Sequence, residues 1–219
     1  MSSTAEPVNR KETVRAGYER VAEAYLNDRP QDSPDIAALE HLLVWLAPGS
    51  LVLDAGCGAG LPILRRLAEA HRAVGVDFSR RQLALAAGNA PGAGLAGMDL
   101  TQLGFAAGVF DAVVSYYAII HIPRMEHAGI LAAFHRLLRP GGLAFLCLGA
   151  MDIADDVDDD FYGARMHWSH FDAPTNLALL DAAGFDVLWS QIISDSLGGE
   201  AATGGHLFVL ARKSVIETE

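Results

Sequence analysis

The chain has 219 residues, of which 51% are hydrophobic and 20% charged, a composition that suits one globular domain with a substantial core. Its formal net charge is −11. Because polyanions are bound through clustered Lys and Arg, this balance argues against nucleic acid and against an acidic membrane surface as partners.

Two further features bear on the compartment. The cysteines, Cys57 and Cys147, lie 90 positions apart and neither belongs to a Cys-x-x-Cys pair, so we expect no disulfide framework. The first residues are charged without an apolar block, and the apolar runs are shorter than the roughly 20 residues that a membrane helix needs. We therefore expect a cytoplasmic protein without a signal peptide or a membrane segment.

The first 46 residues predict a loose tail followed by helices. The tail is expected at residues 1–10. In "YERVAEAYL" the apolar residues recur at helical spacing from Tyr18 to Tyr25, which predicts a helix with one buried face. In "SPDIAALEHLLVWL", Ser33 is expected to cap a second helix whose first position is Pro34.

From Leu51 onward, strand and helix patterns alternate. The expected strands are "LVLD", "AVGVD", "GLAGMDL", "FDAVVSYYAII" and "LAFLCLG". The expected helices are "LPILRRLAEA", "SRRQLALAAG" with Ser79 as its cap, and "HAGILAAFHRLL", which "RPGG" ends. This alternation predicts parallel βαβ units, and the apolar strands suit a sheet that is covered on both faces.

The last third of the chain has a different pattern. Residues 151–171 indicate a long connection, first acidic and then aromatic. The aspartates between Asp152 and Asp160 lack the glycine and glutamate of an EF-hand loop, and we expect them to form a solvated face. After the helix "APTNLALLDAAGF", the segments "DVLWSQIIS" and "GGHLFVLARK" predict a closing antiparallel pair.

The glycine-rich stretch "LVLDAGCGAG" follows the first strand. Gly56, Gly58 and Gly60 give G-x-G-x-G, and Leu61 stands where a dinucleotide fingerprint has its third glycine. The lysine of a Walker loop is also missing. A strand, a glycine turn and a helix still bring main-chain N–H groups to a ligand, but phosphate is poorly provided for.

Three expected strands end in an aspartate: Asp54, Asp77 and Asp99. Because the strands are parallel, all three carboxylates are expected at the same edge of the sheet, where ligands bind. Asp77 follows Gly56 by 21 positions, close to the spacing expected for an acid that binds ribose hydroxyls. The alternative is that each aspartate caps the helix or turn after it.

The ordered motifs "VLDAGCGAG", "VGVDFS", "GMDL", "FDAVVSYYAIIHIPR" and "LLRPGG" resemble those of class I S-adenosylmethionine-dependent methyltransferases. The resemblance covers roughly residues 12–150. It implies a Rossmann-like α/β fold, doubly wound, with a mostly parallel seven-stranded sheet and one antiparallel strand near the C-terminus. We expect a single domain over residues 1–219, with residues 1–46 as a helical lid and the 151–171 connection covering the substrate site.

The resemblance implies S-adenosylmethionine as the cofactor and assigns residues to it. Gly56 and Gly58 are expected under its methionine part, and Asp77 at its ribose hydroxyls. The full set is Tyr18, Tyr25, Asp54, Gly56, Gly58, Asp77, Phe78, Met98, Asp99, Leu100, Ser115 and Tyr116. The chemistry agrees, since the cofactor carries no phosphate and its cationic sulfonium favours acidic and aromatic surroundings.

Two regions are candidates for the acceptor side. His121, after the fourth strand, is the first candidate for a general base. The alternative is that His121 only positions the loop or contacts the cofactor. His170 is the second catalytic candidate. The expected substrate-contacting residues are Tyr117, Met166, His167 and Trp168. A metal site built from the histidines is not required by their spacing, and none is expected.

The sequence thus predicts an enzyme that moves a methyl group from sulfonium to an O, N, C or S atom of a small organic molecule. One alternative is an S-adenosylmethionine-binding enzyme with non-methylating chemistry, such as a cyclase. Another is an NAD(P)-dependent oxidoreductase, which the displaced third glycine and the lack of a Tyr-x-x-x-Lys pair disfavour. A monomer or a homodimer without membrane or nucleic-acid partners is expected.

Overall fold

The computed structural model describes residues 9–194 and 205–215. Most of the expected N-terminal tail lies outside the described residues. The helices are α1 (Arg10–Asp28), α2 (Pro34–Ala37), α3 (Glu40–Leu43), α4 (Ile63–Ala70), α5 (Arg80–Asn89), α6 (His127–Leu137) and α7 (Ala173–Ala182). The strands are β1 (Leu51–Ala55), β2 (Arg72–Asp77), β3 (Gly94–Gly97), β4 (Phe110–Ser115), β5 (Leu138–Gly149), β6 (Ile153–Phe161), β7 (Ala164–His170), β8 (Phe185–Ile193) and β9 (His206–Lys213).

Seven strands form one sheet in the order β3-β2-β1-β4-β5-β9-β8. The pairs from β3 to β5 are parallel, whereas β9 is antiparallel to both β5 and β8. The mostly parallel seven-stranded sheet with one antiparallel strand is thereby confirmed, as is the closing pair of β8 and β9. The carboxyl ends of β1, β2 and β4 lie side by side at one edge of the sheet.

The sheet is covered on both faces, as its apolar strands require. On one face, Leu53 and Val113 pack beneath α6 and α7. On the other face, Val52 and Val114 pack with the side chains of α2 to α5. Because neighbouring residues of a strand point to opposite faces, strands that are buried on both sides must be apolar throughout.

Two expected strands are shorter in the structure. β4 ends at Ser115 instead of Ile120, because Tyr117 has a φ of 50° and a 3₁₀ turn, Ile119–His121, follows it. β3 ends at Gly97, and Asp99 caps a second 3₁₀ turn. The expectation that the strands extend to residues 100 and 120 is therefore wrong. Both segments instead leave the sheet at its carboxyl edge. The single helix expected after Ser33 is instead the two short helices α2 and α3.

Residues 151–171 are not an irregular connection. They form a separate two-stranded antiparallel sheet of β6 and β7. Phe161 pairs with Ala164, and the two residues between them, Tyr162 and Gly163, have φ values of 51° and 87°, as a type I′ hairpin turn requires. The aspartates of β6 are exposed, as the acidic pattern predicted.

Helix α1 packs against this hairpin and against α5. Val14 and Val21 share a buried cluster with Ala164 and Met166 of β7. The Glu19 carboxylate accepts hydrogen bonds from the Arg80 and Arg81 main-chain N–H groups, with O···N distances of 2.6 and 3.1 Å. Those groups belong to the first turn of α5, where a helix dipole favours negative charge. Across the described ranges, no helix is long and apolar enough to cross a bilayer.

Candidate functional site

A cavity opens at the carboxyl ends of β1, β2 and β4. Its walls are the glycine loop after β1, the ends of β2 and β3, and the segment after β4. The side chains of α1 that face it are Val14, Tyr18, Tyr25 and Leu26. A mostly apolar cleft with few converging polar groups, placed at this edge of a parallel sheet, is where such folds bind ligands.

The glycines that shape this cavity are required by close packing. Gly56 has a φ of 84°, and a Cβ built on it would lie 2.2 Å from the Ala118 Cβ. Gly60 has a φ of 81°, and its Cβ would lie 3.1 Å from the Ala86 Cα of α5. Gly60, two positions after Gly58, therefore allows the loop to approach α5 closely.

The two strand-end carboxyls behind the loop are buried. Asp77 accepts hydrogen bonds from the Gly58 N–H at 3.0 Å and from the Ser79 N–H at 2.8 Å. Burial raises the pKa of Asp77 to about 6 against the effect of these bonds. Asp54 is 1% exposed, and its Oδ2 has no hydrogen-bond partner in the described structure. Burial, and then the nearby Asp77 charge, raise the pKa of Asp54 to about 8.

Ser115 and Asp99 are the two predicted cofactor residues that do not line the cavity; the other ten do. The Ser115 hydroxyl is fully buried and donates to the Ala55 carbonyl at 2.7 Å. Asp99 accepts from the Thr101 N–H at 2.8 Å and pairs with Lys11, whose Nζ lies 3.3 Å from its Oδ2. Asp99 therefore caps the turn that follows it, as the alternative interpretation expected. Its cofactor role stays a prediction.

His121 and Tyr18 form a hydrogen-bonded pair at the cavity wall. His121 Nδ1 lies 2.8 Å from the His167 carbonyl oxygen, and Nε2 lies 2.9 Å from the Tyr18 hydroxyl. A carbonyl only accepts, so Nδ1 carries the proton and Nε2 accepts from Tyr18. Burial lowers the pKa of His121 to about 4 and raises that of Tyr18 well above its ordinary value. Both side chains are therefore neutral near pH 7.

Of the residues predicted for the acceptor side, Tyr117 lines the cavity with His121. Met166 is fully buried beneath α1, where a Cβ on Gly17 would meet its Sδ at 2.8 Å. Three other residues lie behind the cavity wall. His167 holds His121 through its carbonyl oxygen, the Trp168 ring lies 5.3 Å from the His121 ring, and His170 Nδ1 donates to the Met151 carbonyl at 2.8 Å. Their proposed roles stay predictions.

Arg29 is a cavity residue that the sequence did not single out. It is 7% exposed, and its Nη2 donates to Asp35 Oδ2 at 3.0 Å. Its guanidinium carbon lies 4.7 Å from the centre of the Tyr117 ring. Nη1 is buried and has no hydrogen-bond partner among the residues that the structure describes. Its contacts with Asp35 and with the Tyr117 ring hold it in place, and no local sequence pattern reveals such contacts.

Within residues 9–194 and 205–215, no group of three or more His, Cys, Asp or Glu side chains is placed to hold a metal ion. The histidine ring atoms nearest the cavity already have partners, since Tyr18 and the His167 carbonyl engage both nitrogens of His121.

Comparison with known proteins agrees with this architecture. Residues 52–142 match a family model described as a methyltransferase domain. A sterol 24-C-methyltransferase of Gibberella zeae is 29% identical over 185 residues, which cover 76% of this chain and 48% of the relative. A demethylmenaquinone methyltransferase of Mycolicibacterium vanbaalenii is 33% identical over 102 residues, 47% of this chain and 43% of the relative.

Among solved structures, the 1,6-didemethyltoxoflavin-N1-methyltransferase of Burkholderia thailandensis matches with a TM-score of 0.70 and 23% identity. The match covers 98% of this chain and 93% of that one, whose crystal structure has 1,6-didemethyltoxoflavin and S-adenosylhomocysteine bound.

The sheet order, the reversed β9 and the cavity at the carboxyl edge define a Rossmann-like fold of the methyltransferase type. Residues 52–142 thus match a methyltransferase domain, and the fold is shared with solved S-adenosylmethionine-dependent methyltransferases. The chain spans about half the length, or less, of the curated relatives it matches.

Proposed function

We propose that this protein transfers a methyl group from S-adenosylmethionine to a small organic acceptor. The observation that carries the proposal is a single cavity that joins the Gly56–Gly58 loop, the buried carboxyls of Asp54 and Asp77, and an aromatic wall. The donor set suits the cofactor, because it offers acidic and aromatic groups to a cationic nucleoside and no lysine to a phosphate.

Different residues of the cavity wall would hold different parts of the cofactor. The main chain of Gly56 and Gly58 would hold its methionine part, and the Asp77 carboxylate would accept from its ribose hydroxyls. Phe78, Met98 and Leu100 would hold the adenine ring between apolar side chains. When bound, the cofactor supplies an electrophilic methyl carbon on its sulfonium.

The Tyr18–His121 pair provides a route for the acceptor's proton. Because Nε2 of His121 is occupied by the Tyr18 hydroxyl, the acceptor reaches this base through the phenol oxygen. Tyr18 Oη would accept the acceptor's proton while the Tyr18 proton passes to His121 Nε2. His121 would then hold the released proton as an imidazolium, and Tyr18 would stay neutral.

The elements around the cavity exclude water and hold the reactants in line, the main contribution of an enzyme to a displacement at carbon. Helix α1 and the β6–β7 hairpin pack together over the carboxyl edge, and we propose that residues 1–46 act as a lid. Val14, Leu26 and Ile122 line the cavity on the side of α1 and the β4 loop, which favours an apolar or aromatic acceptor. The names of the relatives, which denote sterol, menaquinone and toxoflavin substrates, support a small organic acceptor.

The first test is ligand binding. S-adenosylmethionine and S-adenosylhomocysteine should raise the melting temperature of the purified protein, whereas NAD⁺ and NADP⁺ should not. The second test incubates the protein and S-adenosylmethionine with a panel of phenols, amines, quinols and sterols. Mass spectrometry should then find S-adenosylhomocysteine formed in equal amount to one methylated product. Stabilisation by a nicotinamide cofactor, or conversion of an acceptor without methylation, would favour another function.

We also infer a cytoplasmic location and no nucleic-acid partner. Both cysteines, Cys57 and Cys147, are buried free thiols, which suits a reducing compartment. The net charge of −11 disfavours binding to polyanions. Light scattering of the purified chain would distinguish a monomer from a homodimer.

A further inference from the structure

We propose that Asp35 is a positioning residue for the proposed reaction: its hydrogen bond with the Tyr117 hydroxyl holds the turn that ends β4 and thereby keeps His121 at the cavity wall. Asp35 lies in α2, outside the matched methyltransferase domain at residues 52–142. The inference rests on the proposed function, because His121 matters there as the base of a methyl transfer. The placement of His121 is a separate property that can be measured without an acceptor.

The first support is the backbone of Tyr117. Its φ is 50°, in the left-handed region that residues with a Cβ rarely adopt. A conformation of this kind persists only where the surrounding structure holds it. The Tyr117 ring packs against the rings of His206 and Phe208, whose centres lie 5.1 and 5.9 Å away. The hydroxyl at the end of the Tyr117 ring donates to Asp35 Oδ2 at 3.0 Å, so the side chain is fixed at its tip as well.

The second support is that two consecutive tyrosines bond to the same residue. The Tyr116 hydroxyl donates to the Asp35 main-chain carbonyl at 2.9 Å, while the Tyr117 hydroxyl donates to the Asp35 side chain. In an extended strand, successive side chains point to opposite faces of the sheet. Tyr116 and Tyr117 both reach Asp35 because the chain turns at Tyr117. The two hydrogen bonds and the left-handed φ are therefore parts of one arrangement.

The third support is what this turn places in the cavity. Ala118 follows directly and lies so close to Gly56 that a Cβ on the glycine would come within 2.2 Å of the Ala118 Cβ. His121 ends the 3₁₀ turn Ile119–His121, is 6% exposed and accepts from the Tyr18 hydroxyl. An extended continuation of β4 would carry these residues along the sheet by about 3.3 Å per residue. The turn at Tyr117 therefore decides whether His121 reaches Tyr18.

The fourth support is that Asp35 is itself held firmly. Its side chain is fully buried, Oδ1 accepts from the Ser33 hydroxyl, and Oδ2 accepts from Arg29 Nη2 at 3.0 Å. A buried carboxylate is tolerated where it is paired and hydrogen-bonded, and Arg29 supplies the opposite charge. Hydrogen bonds to a charged acceptor are stronger than those between neutral groups. Asp35 therefore offers the Tyr117 hydroxyl a fixed and strong acceptor.

The test follows the His121 ring by NMR, with its signals assigned by comparison with a His121→Gln sample. Burial lowers the pKa of His121 to about 4, so in the unaltered protein its ring should not titrate above about pH 5.5. Tyr117→Phe removes the bond to Asp35 and keeps the ring. The turn should then relax, and His121, now accessible to water, should titrate with a midpoint of about 6–6.5. Asp35→Asn leaves one amide oxygen for two donors, Arg29 and Tyr117, and should move the midpoint in the same direction.

Tyr162→Phe is the matched control. Tyr162 is also a left-handed tyrosine, with a φ of 51°, but it lies in the partly exposed turn of the β6–β7 hairpin. The control should leave the His121 titration as it is in the unaltered protein. If Tyr117→Phe and Asp35→Asn both keep a cooperative thermal transition while His121 stays neutral down to about pH 5.5, the inference is wrong. A His121 ring that titrates near pH 6 already in the unaltered protein would overturn it too.

Kinetics then separate positioning from general upkeep of the cavity. With an acceptor from the panel that yields a methylated product, Tyr117→Phe should lower kcat about tenfold or more. Its affinity for S-adenosylhomocysteine, measured by calorimetry, should change by less than about threefold. Equal losses in both would mean that Asp35 maintains the whole cavity, which contradicts the inference. The expected His121 shift in a protein that methylates no acceptor would support the positioning by Asp35 and refute the proposed function.

Discussion

Replacing Asp77 by asparagine tests the ribose contact on which the cofactor assignment depends. The Asp77 carboxylate accepts from the Gly58 and Ser79 N–H groups. Each carboxylate oxygen has a further lone pair, so two ribose hydroxyls can be accommodated without breaking either bond. Asparagine keeps the shape, but in either orientation its amide nitrogen faces the Gly58 or the Ser79 N–H group, and its oxygen is uncharged.

The expected loss follows from these contacts. Hydrogen bonds to a charged group contribute about 1.5–3 kcal/mol each, and part of this is recovered because the amide still makes one bond. The affinity for S-adenosylhomocysteine should therefore fall by about 1–3 kcal/mol, which is roughly 5–150-fold in Kd. Removing the Asp77 charge should also lower the pKa of Asp54, since that charge is the second cause of its elevation.

Isothermal titration with S-adenosylhomocysteine measures the change, and adenine alone serves as a ligand without ribose. The asparagine variant should bind adenine as the unaltered protein does. Asp186→Asn, at an exposed position of β8, removes the same charge far from the cavity and should bind both ligands normally. An asparagine variant with unchanged S-adenosylhomocysteine affinity and an intact thermal transition would refute the assignment.

Three further predictions concern other parts of the site. S-adenosylhomocysteine affinity should rise between pH 6 and 8, because binding of its ammonium group favours the ionised form of Asp54, whose pKa burial raises to about 8. Calorimetry should show proton release, and Asp54→Asn should flatten the profile. Tyr18→Phe should lower kcat about 100-fold for an acceptor that loses a proton, with cofactor affinity changed by less than about threefold; an equal change in both would make Tyr18 a binding residue only. Gly56→Ala should destabilise the protein by about 2–4 kcal/mol in denaturant titration, since its Cβ meets Ala118 at a positive φ, whereas Gly104→Ala, in open space, should cost under about 1 kcal/mol.

The parts of this fold that the sequence predicted are those whose pattern is local. The strand "LVLDA" is apolar because it is buried on both faces, and the glycines after it mark a turn whose φ values are positive. The Ser79 cap was predicted by residue type alone, and its side chain does accept from the Gln82 N–H. Such features depend on neighbours within a few residues, so sequence patterns report them.

The parts that escaped prediction depend on distant residues. β6 is rich in aspartate, which strands disfavour, and it forms because β7 buries Ala164 and Met166 against α1. The chain after β4 leaves the sheet at Tyr117, whose hydroxyl bonds to Asp35 some 80 residues earlier. Arg29 is buried because it pairs with the same Asp35 and lies over the Tyr117 ring. Tertiary contacts overrule local propensity here, and they do so around the cavity.

This concentration of long-range contacts explains how the cavity is assembled. Helix α1 supplies Tyr18 to His121, Glu19 to the first turn of α5, and Arg29, just after its end, to Asp35. The α5 turn it contacts directly follows Asp77, whose carboxylate accepts from Ser79. Displacing α1 would therefore break the Tyr18–His121 pair, the Arg29–Asp35 pair and the Glu19 contact with the first turn of α5 together. Because one helix holds all three, binding of the nucleoside should stabilise the docked position of α1, and hydrogen exchange of its amides should slow when S-adenosylhomocysteine is added. Exchange in α1 that is indifferent to the ligand, while α5 becomes protected, would separate the helix from the site.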